Sequence, residues 1–335
     1  MQINPQHKKQ EQVFHNGESY FASLLEDIAQ VGKKRLDEKF NLEIGLGLSR
    51  NDILQRISDC NFVVVKGSTL IDEEFLDAAN ELQLIARAGT GLDNIDLDLA
   101  NKYGVCVINT PLANTNSAIE FTITQILSVS RNIKNVLNSV EKRDFRRSLH
   151  EGSEIKAKVV GLIGLGGVGI GVAKILSSFE AKLIAYDPYT QYGNIFCKEL
   201  GGKIVTDINQ IAEESNIISL HMSLNNENTE IINSKFLNKT TKSPILINSA
   251  RGGLVNEDDI IKSLKDNQIS FYATDFTNPE PSYDDLASGK NFKHIFLSHP
   301  KIFYTPHIGA STIEAQNRVA NELVDSIYSF YEINA

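Results

Sequence analysis

The chain is poor in cysteine and proline, has no surplus of basic charge and carries no long apolar run. Its three cysteines, Cys60, Cys106 and Cys197, are spread over 335 residues. No Cys-x-x-Cys pair occurs, which argues against a disulfide framework and against a cysteine zinc site. The expectation is three reduced thiols in a cytoplasmic protein, with no metal. Eight prolines and 22 glycines exclude a collagenous or low-complexity chain. Lys and Arg number 33 against 42 Asp and Glu, a formal charge of −9. Nucleic acid is therefore not the expected partner, since phosphate binding needs a basic face. No apolar stretch reaches about 18 residues, so no membrane partner is expected. Residues 1–19 are polar and do not read as a signal peptide.

Hydrophobic residues make up 41% and charged residues 22%, as in ordinary globular domains. The length suggests about two domains. Residues 1–20 read as a loose arm rich in Gln, Asn and His. Beyond it, short β-branched runs alternate with helical patterns. Residues 61–65, 82–86 and 105–109 read as strands, and 70–80 as an amphipathic helix. After Pro111 the spacing predicts one long helix from Ser117 to about Val140, a connector between domains. A polar stretch then leads into strands at Val159–Ile163, 183–186, Ile217–Leu220, Ile245–Asn248 and Phe271–Thr274. The class is α/β, with parallel doubly wound sheets.

Val159–Ile163 runs directly into Gly164-Leu165-Gly166-Gly167-Val168-Gly169, and the residues after it have helical character. A bare Gly-x-Gly-x-x-Gly is weak, but between a strand and a helix it reads as a dinucleotide cradle. Gly164 permits the tight turn, Gly166 lets backbone approach a pyrophosphate, and Gly169 lets the helix pack on the strand. The helix start, Gly167 and Val168, offers N–H groups and partial positive charge. Asp187 ends the next strand, 18 residues after Gly169. Placed there it accepts from ribose hydroxyls and repels a 2′-phosphate, which favours NAD over NADP.

Further polar groups follow strand ends, where ligands of open α/β sheets bind. They are His221, Arg251, Asp275 with Glu280 five residues on, and His307 in Thr305-Pro306-His307-Ile308-Gly309. His221 reads as a structural histidine that touches cofactor, not as a proton donor. Taken as a set, the residues suit a 2-hydroxy or 2-keto acid. Arg forks a carboxylate, His moves a proton, and an adjacent Glu holds the imidazole ring.

From about Ser58 to Asn321 the sequence resembles the D-2-hydroxyacid dehydrogenase family, most of all its D-3-phosphoglycerate dehydrogenase branch. The resemblance lies in Ala86-Arg87-Ala88-Gly89-Thr90-Gly91-Leu92-Asp93, the glycine loop, Asn248-Ser249-Ala250-Arg251-Gly252-Gly253 and the His307 segment. It implies two Rossmann-like domains. The NAD domain, 112–304, is inserted into a discontinuous substrate domain, 1–111 and 305–335. It implies that His307 is the general acid or base, that Glu280 pairs with it, and that Arg251 holds the substrate carboxylate. Asp275 would receive the nicotinamide carboxamide and backbone near Ala250 the cofactor. Gly89 and Thr90 would lie near the substrate carboxylate or the nicotinamide. For a substrate phosphate the candidates are Arg87 and Lys66, with Gly67 beside it. A homodimer through the NAD domain is implied as well.

Lys66 stands where the branch often has Arg, and Ser223 where the family often has Pro. The chain ends at Ala335 with no serine-sensing ACT module after it, so a short form without feedback inhibition by serine is expected. The leading expectation is NAD-dependent oxidation of D-3-phosphoglycerate to 3-phosphohydroxypyruvate, in serine biosynthesis. A glyoxylate, hydroxypyruvate or other D-2-hydroxyacid dehydrogenase is the alternative. An NAD-sensing co-repressor-like binding protein is a third reading.

Overall fold

The computed structural model describes residues 20–189, 191–281 and 292–333, so most of the loose arm read at 1–20 lies outside the described residues. Contacts divide the chain into two units: 20–114 with 311–333, and 115–281 with 292–310.

The first unit is built on five parallel strands in the order β2-β1-β3-β4-β5. These are β1 (Phe21–Leu24), β2 (Asn41–Ile44), β3 (Phe62–Val65), β4 (Leu84–Arg87) and β5 (Cys106–Asn109). Four short helices connect them: α1 (Gln30–Asp37), α2 (Arg50–Arg56), α3 (Glu73–Ala78) and α4 (Leu97–Lys102). Strand alternation sends Phe62, Val64, Leu84 and Ala86 to one face and Val63, Val65 and Ile85 to the other, and each set joins its own core. Both faces are thus buried, which explains the uninterrupted apolar strands. The last helix, α11 (Ile313–Phe330), closes the first of these cores with Val319, Leu323, Val324 and Ile327. Strands β1 and β2 were not legible in the sequence. β2 is partly exposed throughout, so it lacks a β-branched core signature.

The second unit carries seven parallel strands in the order β12-β11-β10-β9-β6-β7-β8. They are β6 (Val159–Ile163), β7 (Lys182–Tyr186), β8 (Lys203–Val205), β9 (Ile217–Leu220), β10 (Ile245–Asn248), β11 (Phe271–Thr274) and β12 (Ile302–Tyr304). Chain order runs outward from β6 to β8, then returns to β9 on the other side of β6. The carboxyl ends of β6 and β9 therefore flank a topological switch point, where such sheets bind ligands. Among the connecting helices are α5 (Thr115–Ser130), α6 (Ile133–Glu141), α7 (Gly167–Ser178), α8 (Ile208–Glu214), α9 (Ser234–Leu237) and α10 (Glu257–Lys265).

Three expectations change. The long helix from Ser117 is two helices, because Asn132 takes φ +53 between α5 and α6, a conformation no helix continues through. The 70–80 helix shortens to α3, where the Asp72 side chain caps the Phe75 N–H. Residues 305–310 belong with the second unit rather than with the closing segment. Thr305 N–H donates to Thr274 O (3.0 Å) and His307 N–H to Asp275 O (2.9 Å), which ties this stretch to the end of β11. Among the described residues no helix is long and apolar enough to cross a membrane, and no cluster of three or more His, Cys, Asp or Glu could hold a metal.

Candidate active site

At the end of β6 the backbone turns at Gly164, whose φ of +100° a side chain would strain. A Cβ at Gly169 would sit 2.2 Å from Gly164 O, whereas one at Gly166 would meet nothing within 4 Å. One glycine is thus demanded by packing, and another leaves open space above the loop. Helix α7 starts there with no side-chain cap, so its first N–H groups are available to an anion. Asp187 closes β7 and is anchored to the loop. Its Oδ2 accepts from Leu165 N–H (2.6 Å) and its Oδ1 from Tyr189 N–H (2.7 Å). These features fit a dinucleotide: a turn, an open cradle, an uncapped helix start and a fixed acid.

His221 follows β9 and lies against this turn; a Cβ on Gly164 would come within 2.8 Å of its carbonyl. The His221 Nε2 is enclosed and has no hydrogen-bond partner among the described residues. Burial lowers its pKa to about 3, so it is uncharged at neutral pH and unsuited to donate a proton there. Between about 6.5 and 3 the native state binds fewer protons at this site than the unfolded chain. This contribution to stability is therefore complete above about 6.5 and lost as pH falls toward 3. Each unit in that window is worth up to about 1.4 kcal/mol. Denaturant unfolding at pH 6.5 and 4.5 tests this. The His221→Asn variant should lose about 1–2 kcal/mol less than the parent between them, and equal losses would refute it.

At the end of β10, the fully buried Asn248 shapes the next turn. Its Oδ1 accepts from Ala250 N–H (3.1 Å) and Arg251 N–H (3.3 Å), and its Nδ2 donates to Arg251 O (2.8 Å). The Arg251 guanidinium donates to Ala250 O (2.7 Å) and lies 5.7 Å from the centroid of the Phe276 ring. The His307 ring packs on the same phenylalanine, centroids 4.4 Å apart. His307 Nδ1 is 2.8 Å from Glu280 Oε2, which orients the imidazole and leaves Nε2 for another partner. The structure therefore places Arg251 and His307 on one ring, with Glu280 held by His307.

Beside them Asp275 is 2% exposed. Its Oδ1 accepts from Thr305 Oγ1 (2.6 Å) and its Oδ2 from Gly309 N–H (2.7 Å). Burial pushes its carboxyl above the usual range, against the pull of these hydrogen bonds. The buried Gln125 of α5 accepts from Ser249 Oγ (2.8 Å) and reaches Thr305 Oγ1 (3.4 Å). It links the Arg251 loop to Asp275. Sequence reasoning missed Phe276, Asn248 and Gln125. Only the position of Phe276, directly after a strand-end acid, hinted at a role.

In the first unit, Arg87 ends β4, with Gly89 and Gly67 beside its guanidinium. A Cβ on Gly89 would fall 1.8 Å from Arg87 Nη1, and one on Gly67 would lie 3.8 Å from Nη2. Lys66 Nζ donates to Gln316 Oε1 (3.0 Å). Burial lowers its pKa, the Asp27 and Glu26 charges opposing the shift and the Arg87 charge adding to it. The 66–69 loop is pinned by Glu26, which accepts from the Lys66 and Thr69 N–H groups (2.9 Å each). Thr90 Oγ1 donates to Asn114 Oδ1 (2.8 Å).

Residues 123–309 match the sequence model of the D-isomer specific 2-hydroxyacid dehydrogenase NAD-binding domain. The chain is also 33% identical to a hydroxypyruvate reductase of Thermotoga maritima, over 84% of this chain and 88% of that one. It belongs to the D-2-hydroxyacid dehydrogenase family. The matched residues are the family's NAD-binding domain, so NAD is the cofactor. It is 32% identical to a D-3-phosphoglycerate dehydrogenase of Methanocaldococcus jannaschii, over 88% of this chain and 54% of that one. The chain thus spans about half the length of that relative. Among solved structures, an NAD+-bound 3-phosphoglycerate dehydrogenase of Entamoeba histolytica superposes with a TM-score of 0.74. That pair is 26% identical, covering 94% of this chain and 96% of the other.

Proposed function

We propose that this dehydrogenase oxidises D-3-phosphoglycerate to 3-phosphohydroxypyruvate, the reverse reduction using the same residues. The observation that carries the acid–base assignment is the seating of Arg251 and the His307–Glu280 pair on one ring, Phe276. Arg251 presents a planar fork that holds the substrate carboxylate through two parallel hydrogen bonds. His307 Nε2 takes the hydroxyl proton during oxidation and returns it during reduction. Glu280 fixes the imidazole and stabilises its charged form. NAD, once bound, would supply the hydride-transfer chemistry. Asp275 is assigned to the carboxamide, Asp187 to the ribose, and the 164–169 loop with His221 and Ala250 to the rest of the cofactor. Lys66, Gly67, Arg87, Gly89 and Thr90 are assigned to the substrate, the two cations to its phosphate.

A second reading, reduction of hydroxypyruvate, is favoured by the Thermotoga relative and by Lys66 itself, a point charge that cannot fork a phosphate. Turnover of 3-phosphohydroxypyruvate, hydroxypyruvate and glyoxylate, followed by NADH absorbance, separates the two. Under the first reading, Arg87→Ala lowers kcat/KM for the phosphorylated acid about 30-fold more than for hydroxypyruvate, as for a lost charged hydrogen bond. Equal losses on both substrates favour the second.

The proposal extends to a homodimer through the NAD-binding unit. Helix α6 has no buried residue, and Ile133, Leu137 and Val140 on it are exposed, as are Phe145 and Leu149 beyond it. These exposed apolar side chains support an association surface there.

A further inference from the structure

We propose that Glu257 is a positioning residue for the acid–base pair: held by His294, its carboxylate anchors the loop that presents Glu280 to His307. The inference rests on the assignment of those two residues above. Glu257 is the first residue of α10, capped by Asn256, whose side chain accepts from Asp259 N–H (3.0 Å). Its two oxygens are divided between two partners. Oε1 accepts from Asn278 N–H (2.9 Å), and Oε2 lies 2.9 Å from His294 Nε2.

The tautomer of His294 follows from its other nitrogen. Nδ1 accepts from Phe296 N–H (3.3 Å), so Nε2 carries the proton and donates it to Glu257. The imidazole is fixed in turn by rings. It meets Phe296 edge-on at 4.6 Å, and Phe296 meets the buried Tyr272 of β11 edge-on at 5.5 Å. With side chains 13% and 17% exposed, His294 and Glu257 form a mostly enclosed pair. A charge so enclosed has to be fully hydrogen-bonded, and the backbone of Asn278 supplies what the ring does not.

Asn278 stands two residues before Glu280. On its other side the loop rests on the Arg251 turn, where a Cβ at Gly252 would lie 2.4 Å from Thr277 O. Thr277 Oγ1 donates to Pro279 O (3.0 Å). The backbone from 277 to 279 is therefore clamped by α10 and by the residue after Arg251. Glu280 emerges from that clamp at 2.8 Å from His307 Nδ1. Since catalytic geometry tolerates shifts well below 1 Å, loosening the anchor acts on proton transfer rather than on cofactor binding.

A double-mutant cycle tests this, using saturating NADH and the best keto acid of the panel above. Glu257→Ala should lower kcat about tenfold, leave KM for NADH within about twofold, and raise the solvent deuterium isotope effect on kcat. Glu257→Gln, which keeps an acceptor for the Asn278 N–H, should recover most of the loss. Glu280→Gln should cost about a hundredfold, and adding Glu257→Ala to it should cost less than about twofold more. Multiplying losses in the double variant, or parent-like kcat in Glu257→Ala, overturns the proposal. Parent-like kcat in Glu280→Gln overturns the acid–base assignment and the anchor with it.

Discussion

Replacing His307 with Asn should lower kcat about a thousandfold in both directions, within the range expected for losing a general acid–base. The choice of replacement matters. His307 sits at φ +55, and Asn tolerates that left-handed conformation better than other non-glycine residues. Asn offers no group that exchanges a proton near neutral pH. The backbone contacts of the segment, from His307 N–H to Asp275 O and from Gly309 N–H to the Asp275 carboxylate, do not involve the imidazole and remain. Nor do the glycine loop and Asp187, so the dissociation constant of NADH measured by fluorescence titration should change less than about threefold, well under 1 kcal/mol. A variant within about tenfold of the parent would sink the assignment, because no positioning effect alone costs so little when the proton carrier is gone.

The Arg251→Lys variant should lose about a hundredfold in kcat/KM, or about 2.7 kcal/mol. Lysine preserves the charge, so long-range attraction of an acidic substrate survives. What goes is the planar fork and its two parallel hydrogen bonds to a carboxylate. The Arg251 side chain also lies against Phe276 and donates to Ala250 O, which pre-sets its direction before substrate arrives. Steady-state kinetics against a keto acid lacking the phosphate isolates this carboxylate effect from any role of Arg87. A loss below about fivefold would show that charge alone suffices, and Arg251 would not be the carboxylate anchor.

The parts of the site that were legible early are those imposed locally. Gly164 is forced by its own φ and Gly169 by a backbone oxygen five residues earlier in the chain. Asp187 is announced by its place at a strand end. The residues that went unread make their contacts across the sequence. Phe276 meets Arg251 and His307, each some 25–31 residues away, and Gln125 bridges loops more than a hundred residues distant. The long helix expected from Ser117 failed for a related reason. Its apolar spacing persists through Asn132, and one backbone angle there ends α5 and starts α6.

The amino-acid sequence by itself determined the α/β class, the dinucleotide loop and the identity of the groups able to do the chemistry. Those follow from strand periodicity, glycine sterics and side-chain pKa, which are properties of short stretches. Tertiary structure alone decided which of those groups meet. Parallel pairing of β9, β10, β11 and β12 in register brings the ends of distant strands to one edge of the sheet. There Arg251 and His307 meet Phe276, Glu280 bonds to His307 and Glu257 reaches the Asn278 backbone, because neighbours in a parallel sheet are set by hydrogen-bond pairing and not by distance along the chain.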